Sequence, residues 1–236
     1  MLEREFDRFA EEYEELLKRS IALSGESSSF FARYKPADVR KHLTSAGMNA
    51  AGWQILDFGC GVGTSLPYLK QYFPDAELLG ADISRKSLEL AHQHHGSIAS
   101  LVNFDAHQDL PFDVHSFDLI FSACVFHHIP HNLHNRILGG ILRILKPGGW
   151  LFLFEHNPLN PLTLRVVNSC PFDENAVLIS AGEMKSRVKR AGFEEVAVRY
   201  RIFLPGILRK LRWVESGLTW CPLGAQYYIV ARHLRQ

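Results

Sequence analysis

Three glycines in five residues, Gly59-Cys60-Gly61-Val62-Gly63, separate an apolar run, Ile55-Leu56-Asp57-Phe58, from an amphipathic stretch, Ser65–Phe73, that stops before Pro74. Short apolar runs read as strands, and longer stretches with a 3.6-residue period read as helices. Glycine permits the positive φ that turns the chain from one to the other within a few residues. The alternation continues downstream. Glu77–Asp82 reads as a strand, Arg85–His95 as a helix capped by Ser84 and stopped by Gly96, Ile98–Phe104 as a weaker strand and Phe117–Ser122 as a strong one. Leu133–Leu145 reads as a helix, Lys146-Pro147-Gly148-Gly149 breaks it, and Trp150–Phe154 reads as a buried strand. Such alternation predicts parallel strands, right-handed crossovers and helices on both faces. The expected fold is α/β: an open, doubly wound sheet with its ligands beyond the carboxyl ends of the strands.

Both ends of the chain depart from that rhythm. Phe6, Phe9, Tyr13, Leu16 and Leu17 fall near helical spacing within Phe6–Leu23, Gly25–Ser29 reads as a turn or hinge, and Pro36–Ala46 as a second helix. Asn157–Asn175, with Pro158, Pro161 and Pro171, predicts a long irregular connection, and Ala181–Ala191 a helix. Phe193–Phe203 and Ala225–Ala231 read as strands which the insert Pro205–Pro222 leaves free to pair antiparallel, making seven strands with the last reversed. A length of 236 residues fits one domain. Its expected parts are an N-terminal helical cap (1–50), a core (51–156) and a C-terminal segment (157–236).

Charge and cysteine content exclude several classes. Twenty-six Lys and Arg against 25 Asp and Glu leave a net charge of +1 and no basic field for nucleic acid. Cys60, Cys124, Cys170 and Cys221 lie far apart with no C-x-x-C pair, which fits a cytoplasmic location better than a disulfide framework or a zinc ribbon. Residues 1–17 carry seven acidic residues against Arg4 and Arg8, the reverse of a secretory signal, and no run of 18 apolar residues spans a membrane.

The glycine spacing bears on the ligand. A dinucleotide fingerprint wants G-x-G-x-x-G/A. Here the glycines read G-x-G-x-G, and Thr64 stands at the fingerprint's last position. Asp57, two residues before Gly59, would repel a pyrophosphate but could hold a cationic amine directly or through water. The stretch Ile55–Thr64 (ILDFGCGVGT) resembles the first motif, [DE]-x-G-x-G-x-G, of the class I S-adenosylmethionine-dependent methyltransferases. The resemblance continues in order through Asp82 in LLGADIS, Asp105 in VNFDAHQDLPF, Ser116-Phe117-Asp118-Leu119-Ile120 and Leu145–Gly149 (LKPGG), covering about Gln54 to Glu155.

That resemblance implies a Rossmann-like sheet and a set of contacts. Asp82 should accept from the two ribose hydroxyls of S-adenosylmethionine, because a carboxylate can chelate a vicinal diol. Ile83 should lie on the adenine face and Asp105 should accept from the adenine amino group, with Ala106 nearby. Gly59, Cys60, Gly61 and Gly63 should set backbone against the methionine part, with Ser122, Ala123 and Cys124 passing beneath the sulfonium. S-adenosylhomocysteine would be the product. Singly, Asp82 and Asp105 would equally suit a helix cap or a turn; in register with the glycine loop they read as ligand contacts.

Methyl transfer needs alignment first, and a base only where the acceptor must lose a proton. His127 and His128, after the fourth core strand, and His156, after the fifth and beside Glu155, are the candidate bases. The same H-H pair also suits a helix-entry turn. His127, His128, His131 and His134 form H-H-x-x-H-x-x-H, yet Pro130 interrupts any helix and no acidic ligand lies within the run, so no metal is expected. Ser122-Ala123-Cys124-Val125 lacks the prolines used by enzymes that methylate amino groups of bases, which with the neutral charge leaves a small-molecule acceptor, methylated on oxygen or nitrogen. Phe30, Phe31 and Tyr34 are candidate walls and Arg33 or Lys35 a candidate partner for the cofactor carboxylate; Arg165, Asn168, Asp173 and Asn175 are possible polar contacts. The insert 205–222 is basic and partly amphipathic; a helix packed on the core is the expected reading, with peripheral membrane contact the lesser one. A non-catalytic S-adenosylmethionine-binding regulator and a nicotinamide-dependent oxidoreductase are the competing functions, the second opposed by the glycine spacing.

Overall fold

The computed structural model describes residue 7 and residues 13–234. Helix α1 (Tyr13–Ile21) leads through a short 3-10 turn, Ala22–Ser24, to α2 (Ser28–Ser45). The alternating core follows as β1 (Gln54–Phe58), α3 (Leu66–Tyr72), β2 (Glu77–Asp82), α4 (Arg85–His95), β3 (Ser100–Asn103), β4 (Phe117–Ala123), α5 (His134–Ile144) and β5 (Leu145–His156). Then come α6 (Pro161–Asn168), α7 (Ala181–Arg190), β6 (Glu194–Arg201) and β7 (Gln226–Arg232). The seven strands form one sheet in the order β3-β2-β1-β4-β5-β7-β6. Strands β1 to β5 pair in parallel, and β7 runs antiparallel to both β5 and β6.

The central strands are buried on both faces, which explains their unbroken apolar runs. Val39 and Leu43 of α2 and Leu66 and Leu69 of α3 pack with Ile55, Leu119, Phe121 and Phe154 on one face. Ile137 and Ile141 of α5 and Met184 and Val188 of α7 pack with Leu56, Ile120, Leu153 and Tyr227 on the other. The chain steps outward from β1 to β2 and β3, then returns to β4 on the opposite side of β1. That reversal opens a crevice beyond the carboxyl ends of β1 and β4.

Four local readings change. Helix α2 starts at Ser28, not Pro36, because Ser27 accepts from the Phe30 N–H as an N-cap and Pro36 is carried inside the helix. The expected hinge at 25–29 is therefore mostly helix entry. LKPGG belongs to β5: Leu145 already pairs with Phe117, and the register shifts before Trp150 meets Leu119. The supposedly irregular stretch after His156 holds α6, with Asn160 as N-cap and Pro161 in the first turn, where a proline needs no N–H partner. The insert 205–222 holds a kinked 3-10 segment, Gly206–Gly217, not a regular helix. It leaves Ile207, Trp213 and Trp220 largely exposed. Phe6 and Phe9 of the N-terminal stripe lie outside the described residues.

Candidate active site

A cavity of about 860 Å³ fills the crevice between β1 and β4, a volume in the range of small-molecule sites. The glycine loop forms one end. Gly59, Gly61 and Gly63 all adopt positive φ, but their surroundings differ. A Cβ on Gly59 would collide with the Val125 side chain, and one on Gly63 would meet His95 at 2.8 Å, so both glycines allow close packing within the protein. A Cβ on Gly61 would meet nothing within 4 Å. Gly59, Cys60 and Gly61 line the cavity, whereas Gly63 lies outside its lining.

Two carboxylates stand beside this loop. Asp82 ends β2 and lines the cavity with Ile83. Its Oδ2 accepts the Gly61 N–H at 2.8 Å and its Oδ1 the Ser84 N–H at 2.9 Å. Burial pushes its carboxyl up, while these N–H donors pull it back. Asp57 is almost fully buried, and its Oδ2 has no hydrogen-bond partner among the described residues. Burial first, and the charge of Asp82 second, raise Asp57 to about 8. Asp105 is exposed and outside the lining; its carboxylate accepts from the His107 N–H and the Gln108 amide. Ala106 does line the cavity.

At the other end, Cys124 follows β4 with φ +61, an uncommon value for a residue with a Cβ. Its N–H donates to the Phe154 carbonyl at 2.8 Å, which turns Ala123 and Cys124 into the cavity wall. The histidines are sorted by Glu155. One oxygen of this buried carboxylate accepts the Val125 and Phe126 N–H groups, and the other binds His127 Nδ1 at 2.6 Å. Glu155 therefore orients His127 and not its chain neighbour His156, as adjacent strand residues face opposite sides. Asp173, from a 3-10 turn at Pro171–Asp173, lies 3.5 Å from His127 Nε2 and 3.3 Å from His128 Nε2. Burial opposes charge on His127, but Glu155 and Asp173 outweigh it and raise the ring to about 10. Burial and the charge on His127 lower His128 and bring His156 down to about 4.

His156 is held by a longer chain of contacts. The Tyr34 hydroxyl donates to Gln226 Oε1, and Gln226 Nε2 meets His156 Nδ1 at 3.3 Å. With the amide set this way, Nδ1 accepts and the ring hydrogen sits on Nε2. In that tautomer His156, which lines the cavity, is a donor at Nε2. Lys35, on the buried side of α2, also lines the cavity, and its charge bears on Asp57, Cys124 and His156 alike. Arg33 points elsewhere, with Nε 3.4 Å from the Tyr72 hydroxyl. Phe31, Arg165 and Asp173 line the cavity; Asn168 and Asn175 do not. Of the residues that complete the site, Gln226 carried no sequence signal. It sits in the last strand, and only the sheet register brings it opposite His156.

Comparisons with known proteins bear on the family. Residues 56–153 match the family model described as a methyltransferase domain. The chain is 32% identical over 119 residues to a fatty-acid O-methyltransferase of Mycolicibacterium smegmatis, covering 50% of this chain and 42% of that protein. It spans less than half the length of the mycobacterial relatives it matches. It is 31% identical over 165 residues to an uncharacterized methyltransferase of Synechocystis, covering 68% of this chain and 75% of that protein. A crystal structure from Thermotoga maritima described as an S-adenosylmethionine-dependent methyltransferase and possible histamine N-methyltransferase superposes with a TM-score of 0.68 at 22% identity, over 99% of this chain and 100% of that one. The glycine loop, the acidic pair beside it and these matches together show that the chain belongs to the class I S-adenosylmethionine-dependent methyltransferase family.

Proposed function

We propose that this protein transfers a methyl group from S-adenosylmethionine to an oxygen of a small, amphiphilic acceptor, with a carboxylate as the favoured group. One observation carries the reading: a single cavity runs from the glycine loop to Lys35 and His156. The donor fits the first end. Its ammonium finds the unpartnered Asp57 Oδ2, and its backbone-hugging part finds the open face of Gly61. Asp82 keeps lone pairs for ribose hydroxyls after accepting from Gly61 and Ser84.

When bound, S-adenosylmethionine supplies a methyl carbon already activated by a sulfonium. The protein's part is to bind, orient and exclude water, and alignment alone supplies about 7–11 kcal/mol in well-matched cases. Ala123 and Cys124 set the floor between the two ends, and the backbone turn at Cys124 fixes it. The Nε2–H of His156 and the ammonium of Lys35 would both hold an anionic oxygen. A carboxylate attacks without first losing a proton, so a site that offers hydrogens and positive charge needs no base. Leu162 and Leu204 at the rim supply apolar wall for the rest of such a molecule, and the Mycolicibacterium relative is named for fatty acids.

Calorimetry with S-adenosylhomocysteine and with NAD(H) tests the cofactor: binding of the first alone is expected. Incubation with methyl-labelled S-adenosylmethionine and a panel of fatty and aromatic acids should give label that alkali releases as methanol. Alkali-stable label would overturn the carboxylate reading and leave methyl transfer standing. Tight cofactor binding with no transfer to any acceptor class would favour the regulator.

A further inference from the structure

Asp173 is buried, and among the described residues its Oδ1 has no partner in hydrogen-bond geometry, only two imidazole nitrogens at ion-pair distances of 3.5 and 3.3 Å. Buried carboxylate oxygens are normally satisfied. Donor atoms about 2.0–2.2 Å from a tetrahedral zinc ion lie about 3.3–3.5 Å from one another. One donor atom from each of His127, His128 and Asp173 falls within 4.8 Å of the others. We propose that these three residues form a binding site for a divalent transition metal of the zinc class.

Further features of the cluster fit a metal better than a simple ion pair. His127 Nδ1 is fixed by Glu155, whose second oxygen is itself held by two backbone N–H groups. A carboxylate behind a liganding imidazole sets the ring's orientation and raises its basicity. Two imidazoles and one carboxylate suit zinc and its neighbours and not magnesium or calcium, which take oxygen. All three residues line the cavity, so the arrangement is three protein ligands with room for a fourth from the cavity. The pattern escapes the H-H-x-x-H-x-x-H reading because His131 and His134 go elsewhere: both meet Arg187. The acidic ligand comes instead from the turn after α6. The site stands independently of the methyl-transfer reading, although an open position toward the cavity would let the ion hold an acceptor oxygen.

The 236-residue chain, stripped with a chelator and titrated with Zn²⁺, is expected to take one ion, and Co²⁺ in its place to give the visible absorption of a low-coordinate nitrogen and oxygen site. His128→Gln and Asp173→Asn should each weaken Zn²⁺ binding at least 100-fold, and Glu155→Gln about 10–100-fold. His92→Gln, on the exposed end of α4, should leave it unchanged. Folding of each variant is checked by thermal melting. Should the variants fail to fold, zinc-edge X-ray absorption of the unaltered protein must show two imidazoles and a carboxylate. No stoichiometric ion, affinity unmoved in folded His128→Gln and Asp173→Asn, or a different ligand set would each overturn the site. S-adenosylhomocysteine is titrated in parallel. Its binding without Zn²⁺ binding sinks the metal site alone, and Zn²⁺ binding without it sinks the methyl-transfer reading alone.

Discussion

At Asp57 the protein holds a proton that the unfolded chain would release. The unfolded carboxyl titrates near 3.8 and the folded one at about 8. Below the lower value both states are protonated; between the two only the folded state is, so the contribution of this group to stability declines as pH rises toward 8. Asp57→Asn should therefore raise the melting temperature more at pH 8 than at pH 4. A bound ammonium reverses the balance by favouring the carboxylate. Affinity for S-adenosylhomocysteine should climb between pH 6 and 8, approaching tenfold per unit, with proton release visible as a buffer-dependent calorimetric heat; Asp57→Asn should flatten that slope. The glycines divide in the same concrete way. Gly61→Val sends its side chain into open cavity and should abolish binding at a cost of about 1–2 kcal/mol in stability from the left-handed backbone. Gly59→Ala collides with Val125 and should lower the melting temperature markedly. Asp82→Ala should weaken S-adenosylhomocysteine binding about 10–100-fold, with the far-ultraviolet dichroism unchanged, since each lost charged hydrogen bond is worth about 1.5–3 kcal/mol.

Among the elements, the parallel core was legible because each strand and helix announces itself within ten residues: apolar run, glycine stop, capping Ser84. What escaped was capping by residues that also favour turns. Ser27 and Asn160 each accept one helical N–H, yet both sit in stretches whose serines, asparagines and prolines read as loop. The glycine-loop end of the cavity was legible in the same local way, since Asp57 and the glycines are neighbours in sequence. At the other end Tyr34, His156 and Asp173 stood out singly, but not their grouping: with Gln226, which carried no signal, they come from four separate elements, and no spacing rule relates them. Asn157, fully buried, ties two of the late pieces together through hydrogen bonds from Nδ2 to the Pro222 and Gly224 carbonyls. Asn157→Ala strands both carbonyls and should cost about 2–4 kcal/mol, read as a lower melting temperature by calorimetry.

On the scale of the molecule, the sheet reversal and the antiparallel β7 have to be considered together. Strands β1, β4 and β5 all end at the cavity, whereas β7 begins there, and its first residue, Gln226, pairs with His156 of β5. Because it aligns His156 and touches Tyr34, Gln226→Ala should lower methyl transfer while leaving S-adenosylhomocysteine affinity within about twofold. Since Gln226 follows Tyr34 by 192 positions, the wall beside His156 is a long-range closure, and whatever loosens the seam between helix α2 and strand β7 loosens that wall first.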